Sequence, residues 1–280
     1  MSGRGRWEQL AAGVAAVALV AGCGSATSGP PSTGPGAGPT SSPTVATTAT
    51  SSPEVWDLVW FSDSSASLAA LWASRIEAVN GVQVRVHDFW GPSIRGSASF
   101  IGELTEVEAV EQAIVEAEVI GLYANPARTT AGDELGAACA FDIGSRTPPA
   151  YTARDFAEYA DQLRFIYDRI FELRGGRTAI IRAVDAYVPI LAEWRTAGIE
   201  KACTAGWEAW TSVARTVAAD YGVPMASIYD AFNGPGHDQN PADKGYIGED
   251  GAHPSDAGSA AQVAVLDALG YEPVTRPYGR

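Results

Sequence analysis

The chain has 280 residues, 46% hydrophobic and 19% charged, which suits one large domain with a buried core plus appended segments. Its formal net charge is −14, and no run of Lys or Arg offsets this locally. Such a surface repels phosphate backbones, which speaks against nucleic acid as a partner.

Residues 1–23 read as a targeting segment. Arg4 and Arg6 give a positive start, and Leu10 to Val20 is an apolar run too short to span a bilayer as a mature helix. From Gly24 to Pro53 the chain is almost entirely Ser, Thr, Gly, Pro and Ala, without charge or aromatic residue. Little there can be buried to offset ordering entropy, so residues 24–53 are expected to be a disordered linker. Composition changes at Glu54-Val55-Trp56, and the globular domain is expected over 54–280.

Within that domain strand and helix patterns alternate. Val55 to Phe61 is a short apolar strand, followed by Ser62-Asp63-Ser64-Ser65. Ala66 to Val79 has helical spacing, with Leu68, Leu71, Trp72 and Ile76 on one face and Asn80-Gly81 closing it. Val82 to Val86 alternates as a strand, Leu104 to Glu116 reads as an acidic amphipathic helix, and Val119 to Leu122 as a buried strand. Tyr151 to Leu173 is a long helix stopped by Gly175-Gly176, and Arg177 to Val184 is the next strand. A helix over Ala205 to Tyr221, a strand over Val223 to Tyr229 and a last helix over Ser255 to Leu269 complete the pattern. Five strands alternating with helices predict a three-layer α/β/α fold around a five-stranded parallel sheet, with ligands at the carboxyl ends of the strands.

Only three histidines are present: His87, His237 and His253. In Asp250-Gly251-Ala252-His253-Pro254 a carboxylate precedes a histidine by three residues, across two small residues that permit a tight turn. That spacing lets Asp250 reach the imidazole Nδ1–H, fixing its tautomer and stabilising the imidazolium. A base of this kind needs a nucleophile. Ser64 stands in the turn between the first strand and first helix, where backbone N–H groups can stabilise an oxyanion. Taken alone, Ser62 to Ser65 read first as helix-capping residues.

Together these blocks resemble the SGNH (GDSL-like) hydrolase superfamily. Ser62-Asp63-Ser64 is similar to its first block after the first strand, and Asp250-x-x-His253-Pro254 to its last block before the final helix. The second block supplies a glycine, matched by Gly91 with Gly96 as the alternative, and the third an asparagine, matched by Asn125. The resemblance runs from Val55 to about Leu269 and implies a flavodoxin-like SGNH fold and a serine esterase. It implies Ser64 as nucleophile, His253 as base and Asp250 as its orienting partner. The Ser64 and Gly91 N–H groups and the Asn125 amide would form the oxyanion hole. Ser62 stands where the first block has Gly, and Tyr123 and Pro126 flank Asn125 where the third has Gly and Asp. These departures motivate a second reading, a catalytically degenerate binding module on the same fold. Trp90, Asp185 and Tyr187 lie just past strand ends, positions that suit either lining a substrate pocket or packing and loop anchoring.

Val20-Ala21-Gly22-Cys23 resembles the bacterial lipobox, whose cysteine becomes the lipidated first residue of the mature protein; the other reading is an ordinary secretory peptide with an incidental cysteine. The lipobox resemblance implies a domain exported and tethered to the outer face of the cell membrane by acyl chains. Removing Cys23 leaves Cys139 and Cys203, an even pair in an oxidising compartment, read as one disulfide or as two separate buried thiols. No metal or other cofactor is expected, because acidic residues and histidines show no clustered ligand spacing. The expected partners are a small-molecule, glycan or lipid ester and, through the anchor, a membrane surface; the domain is expected to be a monomer.

Overall fold

The computed structural model describes residues 53–61, 66–89, 108–123, 139 and 151–275. The chain divides into two units, Met1–Thr50 and Ser51–Arg280, and all described residues belong to the second. The expected targeting segment with Cys23, and all of the expected linker but Pro53, lie outside the described residues.

The predicted alternation is present. β1 (Val55–Phe61) leads into α1 (Ala66–Asn80), and β2 is Gln83–Phe89. α2 (Glu108–Glu116) and β3 (Val119–Tyr123) follow, then α3 (Ala153–Arg174) and β4 (Ile180–Val184). α3 starts at a capping box, Thr152 with Asp155, and stops at Gly175, whose φ of 55° is left-handed backbone that glycine adopts without steric cost. α4 is Leu191–Ala197, α5 Glu200–Asp220, β5 Met225–Ala226, α6 Ile228–Asn233 and α7 Asp256–Asp267.

The five strands make one all-parallel sheet in the order β2-β1-β3-β4-β5. β1 pairs along its whole length with β2, from Val55 opposite Gln83 to Phe61 opposite Phe89. β3 joins only its second half, from Leu58 opposite Val119. The order reverses between β1 and β3, so the crevice beyond their carboxyl ends is the place where such sheets bind ligands.

Side chains alternate across the sheet as the strand period requires. Val59 and Phe61 of β1 join the core under α2, α3 and α5, whereas Leu58 and Trp60 join the core under α1 and α7. Trp60 lies across β3 at Gly121: a Cβ there would sit 2.0 Å from the indole, so that position accepts no side chain. Two buried arginines finish helices whose C-terminal carbonyls would otherwise lack partners. Arg174 donates to Ile114, Val115 and Ala117 at the end of α2, and Arg182, in the middle of β4, donates to Gly270 and Glu272 beyond α7.

Several boundaries differ from the sequence expectation for local reasons. The strand predicted over Val223 to Tyr229 is reduced to Met225–Ala226. The Ser227 hydroxyl caps Asp230 N–H at 3.0 Å and the Asp185 carboxylate accepts Tyr229 N–H at 2.9 Å, which winds the apolar stretch into α6. The strand predicted from Arg177 begins at Ile180, because Arg177 N–H still closes a turn onto Arg174 and Ala179 pairs antiparallel with Val274. α5 begins at Glu200 rather than Ala205, and α4 was not foreseen. Cys139 and Cys203 are joined as a disulfide with Cα atoms 5.7 Å apart, so the two-thiol reading is set aside. Both are buried against α4, where Trp194 donates its indole N–H to the Cys139 carbonyl.

Candidate active site

The segment between α6 and α7 is built as a platform for two side chains. Pro241–Lys244 is a single 3-10 turn, and Ile247 then pairs antiparallel with Pro254, closing a short loop that contains Asp250 and His253. Gly248 N–H donates to the His253 carbonyl at 2.8 Å, and Gly251 N–H to Gly248 at 3.1 Å. Gly251 has a φ of 76°, the left-handed turn that the short spacing between Asp250 and His253 requires. Ser255 caps α7 by accepting from Gly258 N–H and donates its own hydroxyl to the Gly245 carbonyl at 2.6 Å. α7 approaches this loop so closely that a Cβ on Gly258 would lie 2.2 Å from the Tyr246 carbonyl oxygen.

Within the loop, Asp250 Oδ2 lies 2.5 Å from His253 Nδ1. Asp250 Oδ1 accepts the backbone N–H of Ala252 at 3.0 Å and of His253 at 2.9 Å. The Ala252 N–H, then the His253 ring and its backbone N–H, hold the Asp250 carboxyl down at about 2. An ionised carboxylate only accepts hydrogen bonds, so the imidazole proton sits on Nδ1 and leaves Nε2 as the basic nitrogen. Nε2 has no hydrogen-bond partner among the described residues, and the ring is half exposed. The arrangement can take a proton from a group that approaches Nε2 and can stabilise the charge that results.

The other two histidines are placed differently. His237 is gripped on both nitrogens, Nδ1 at 3.0 Å from Glu208 and Nε2 at 2.7 Å from Asp230, and stacks on the Tyr229 ring. Neither nitrogen remains for a reacting proton. His87 Nε2 lies 2.7 Å from Asp57, a carboxylate that also holds Arg85 through both oxygens. That cluster links β1 to the edge strand β2.

Of the residues read as either pocket lining or packing and loop anchoring, Asp185 proves to be interior, 1% exposed. It holds Arg215, Ser227 and Tyr229 N–H, and burial pushes its carboxyl up against their opposing pull. Tyr187 is nearly buried and donates its hydroxyl to the Ala252 carbonyl at 2.7 Å. Because Tyr187 follows the last residue of β4 closely, this bond sets the loop bearing Asp250 and His253 at the carboxyl edge of the sheet. Asn233, which sequence reasoning did not single out, is fully buried, exchanges two hydrogen bonds with Val188, and also donates to Gln239. Its signal in the sequence was faint, an Asn before Gly at a helix end.

Tyr123 ends β3. Ser62, Ser64, Trp90, Gly91, Gly96, Asn125 and Pro126 lie outside the described residues. Their described flanks are fixed: Phe61 ends β1 and Ala66 opens α1, with Ser64 between them in the chain.

The sequence matches no family model and no curated protein. Solved structures do match. A lipase from a goat rumen metagenome superposes with a TM-score of 0.56 at 15% identity, over 78% of this chain and 98% of that one. An α/β-hydrolase enzyme from the metagenome of Lake Arreo, Spain, gives 0.53 at 14% identity, over 76% and 94%. A GDSL-like lipase from Bacteroides thetaiotaomicron superposes more loosely, 0.44 at 14% identity, over 76% and 86%. The chain shares its fold with the rumen lipase, helices around a five-stranded all-parallel sheet. The Asp250–His253 loop, held to the end of β4 and leading into α7, borders the carboxyl edge of this sheet, the place where sheets of this order bind ligands.

Proposed function

We propose that the protein is a serine esterase that cleaves carboxylic esters through an acyl-enzyme, with Ser64, His253 and Asp250 as its triad. The observation that carries this reading is the Asp250–His253 pair: an ionised carboxylate on Nδ1, an exposed Nε2, and a position at the carboxyl edge of the sheet. The fold shared with a rumen lipase supports it.

His253 Nε2 takes the Ser64 hydroxyl proton as Oγ attacks the ester carbonyl. The negative charge that develops on the carbonyl oxygen is met by the N–H groups of Ser64 and Gly91 and by the Asn125 amide; each such donor contributes on the order of 10²–10³ in rate. His253 then returns the proton to the departing alcohol. Water, deprotonated by the same nitrogen, attacks the acyl carbon and frees the acid and Ser64. Asp250 stays ionised throughout, fixing the tautomer and stabilising the imidazolium at each stage.

The enzyme acts outside the cytoplasm in this reading, anchored through Cys23 by a linker long enough to sample about 30 Å around its tether. Acylated envelope glycans and lipid esters are substrates within that reach. Hydrolysis of p-nitrophenyl acetate by the purified chain, lost in Ser64→Ala and in His253→Ala, is the expected result. A wild-type chain that turns over no ester while remaining folded would favour the binding-module reading, which the Ser62, Tyr123 and Pro126 departures motivate.

A further inference from the structure

The peptide unit joining Ala252 to His253 stands between two side chains from distant parts of the fold. On one side its carbonyl accepts the Tyr187 hydroxyl at 2.7 Å; on the other its N–H donates to Asp250 Oδ1 at 2.9 Å. Asp250 in turn holds the His253 ring through Oδ2 at 2.5 Å. A single line of hydrogen bonds therefore runs from the Tyr187 hydroxyl through a peptide and a carboxylate to the imidazole. Donation to a peptide oxygen makes its N–H a stronger donor, and each bond in such a chain polarises the next.

Tyr187 is itself held on every side. Asp185, two residues before it, is locked by Arg215, Ser227 and Tyr229 N–H. The Ala186 carbonyl accepts the Trp207 indole N–H at 2.9 Å, and Val188 exchanges N–H and C=O with the Asn233 amide, each at 2.9 Å. The Tyr187 ring packs on Phe232 at 4.3 Å, and Phe232 packs on Tyr246 at the base of the same loop. This is more anchoring than a loop residue needs for packing alone, and it ends on one exposed catalytic loop. Rigid support behind a reacting group is what keeps it within the narrow tolerance that catalysis demands.

We propose that Tyr187 is a positioning residue for the Asp250–His253 pair: its hydroxyl fixes the Ala252–His253 peptide plane and thereby aims the carboxylate at Nδ1. The inference rests on the esterase reading for its catalytic consequence but not for its geometry.

Tyr187→Phe keeps the ring and removes the hydroxyl. In the full chain, kcat for p-nitrophenyl acetate should fall roughly three- to tenfold, the rate equivalent of one lost hydrogen bond, with KM unchanged and Tm lowered by only a few degrees. Proton NMR of the same protein, at a pH acidic enough for the ring to carry both protons, should show the downfield His253 Nδ1–H resonance shifted upfield or broadened. An unchanged resonance with unchanged kcat overturns the proposal, as does a loss of kcat that only tracks a loss of Tm. If the wild-type chain hydrolyses no ester, the esterase reading fails, while comparison of the resonance between wild type and Tyr187→Phe still decides whether Tyr187 positions the pair.

Discussion

Asp250 grips His253 at two points, Oδ2 on the ring Nδ1 at 2.5 Å and Oδ1 on the backbone N–H at 2.9 Å. One carboxylate thus sets both the ring and the peptide that carries it. Because the two residues are only three apart, the geometry depends on a single turn, and the rest of the fold has to hold that turn in place.

Replacing Asp250 by Asn tests the first half of this relationship. The amide accepts poorly at one end and donates at the other, so the imidazole is free to take the wrong tautomer. Esterase activity should fall by about 10³–10⁴ in kcat with little change in KM. Steady-state kinetics on p-nitrophenyl acetate measure it, and a loss below about tenfold would mean that Asp250 does not set the tautomer.

The acid side of the pH profile follows from the Asp250 carboxyl, lowered from 3.8 to about 2. A depressed folded value means that its stabilising contribution is present above the ordinary aspartate range and lost as pH falls through about 2. Asp250 therefore remains charged well below neutral pH and would contribute nothing to the acid limb of the proposed esterase. The acid limb of log kcat/KM should therefore have unit slope, with no contribution from this carboxylate. A slope of two would show a second titrating group in the mechanism.

Gly258 tests how tightly α7 holds the loop. With its Cβ 2.2 Å from the Tyr246 carbonyl oxygen, Gly258→Ala must push the helix start and the loop apart. Overpacking of this kind costs about 1–3 kcal/mol, and kcat should fall with it because His253 shifts relative to Ser64. Urea denaturation and kinetics on the same variant provide the check; unchanged stability would mean that the contact relaxes without cost.

The Cys139–Cys203 disulfide closes a separation of 64 residues. In the chain-entropy account a loop of this length contributes about 4 kcal/mol. Cys203→Ser should lower the urea midpoint accordingly, and the denatured, unreduced wild-type chain should show no thiol at Cys139 or Cys203, leaving Cys23 as the one cysteine outside the pair. Thiol labelling at Cys139 and Cys203 in the denatured chain would contradict the pairing.

What could be read along the chain was local. β1, α1, β3, α3 and α7 each carry their own period and stop signals, and the Asp250–His253 pair is one turn long. What could not be read depends on partners far away. Tyr187 meets Ala252 65 residues on, and Arg182 meets Gly270 across 88. β5 shows the limit most clearly: Val223 to Tyr229 has the composition of a strand, but Asp185 captures the Tyr229 N–H and Ser227 the N–H of Asp230 just beyond it, and its end is wound into helix. For Asp185, just past a strand end, the sequence left pocket lining and packing both open, and its charged neighbours decide for the interior.

The most direct measurement of the central claim is the site of covalent labelling by a fluorophosphonate. Intact mass should show one adduct per chain, and peptide mapping should find it on Ser64, with labelling abolished in Ser64→Ala and slowed in His253→Ala. An adduct on another serine, or labelling that persists in Ser64→Ala, would contradict the assignment of the nucleophile and with it the proposed triad.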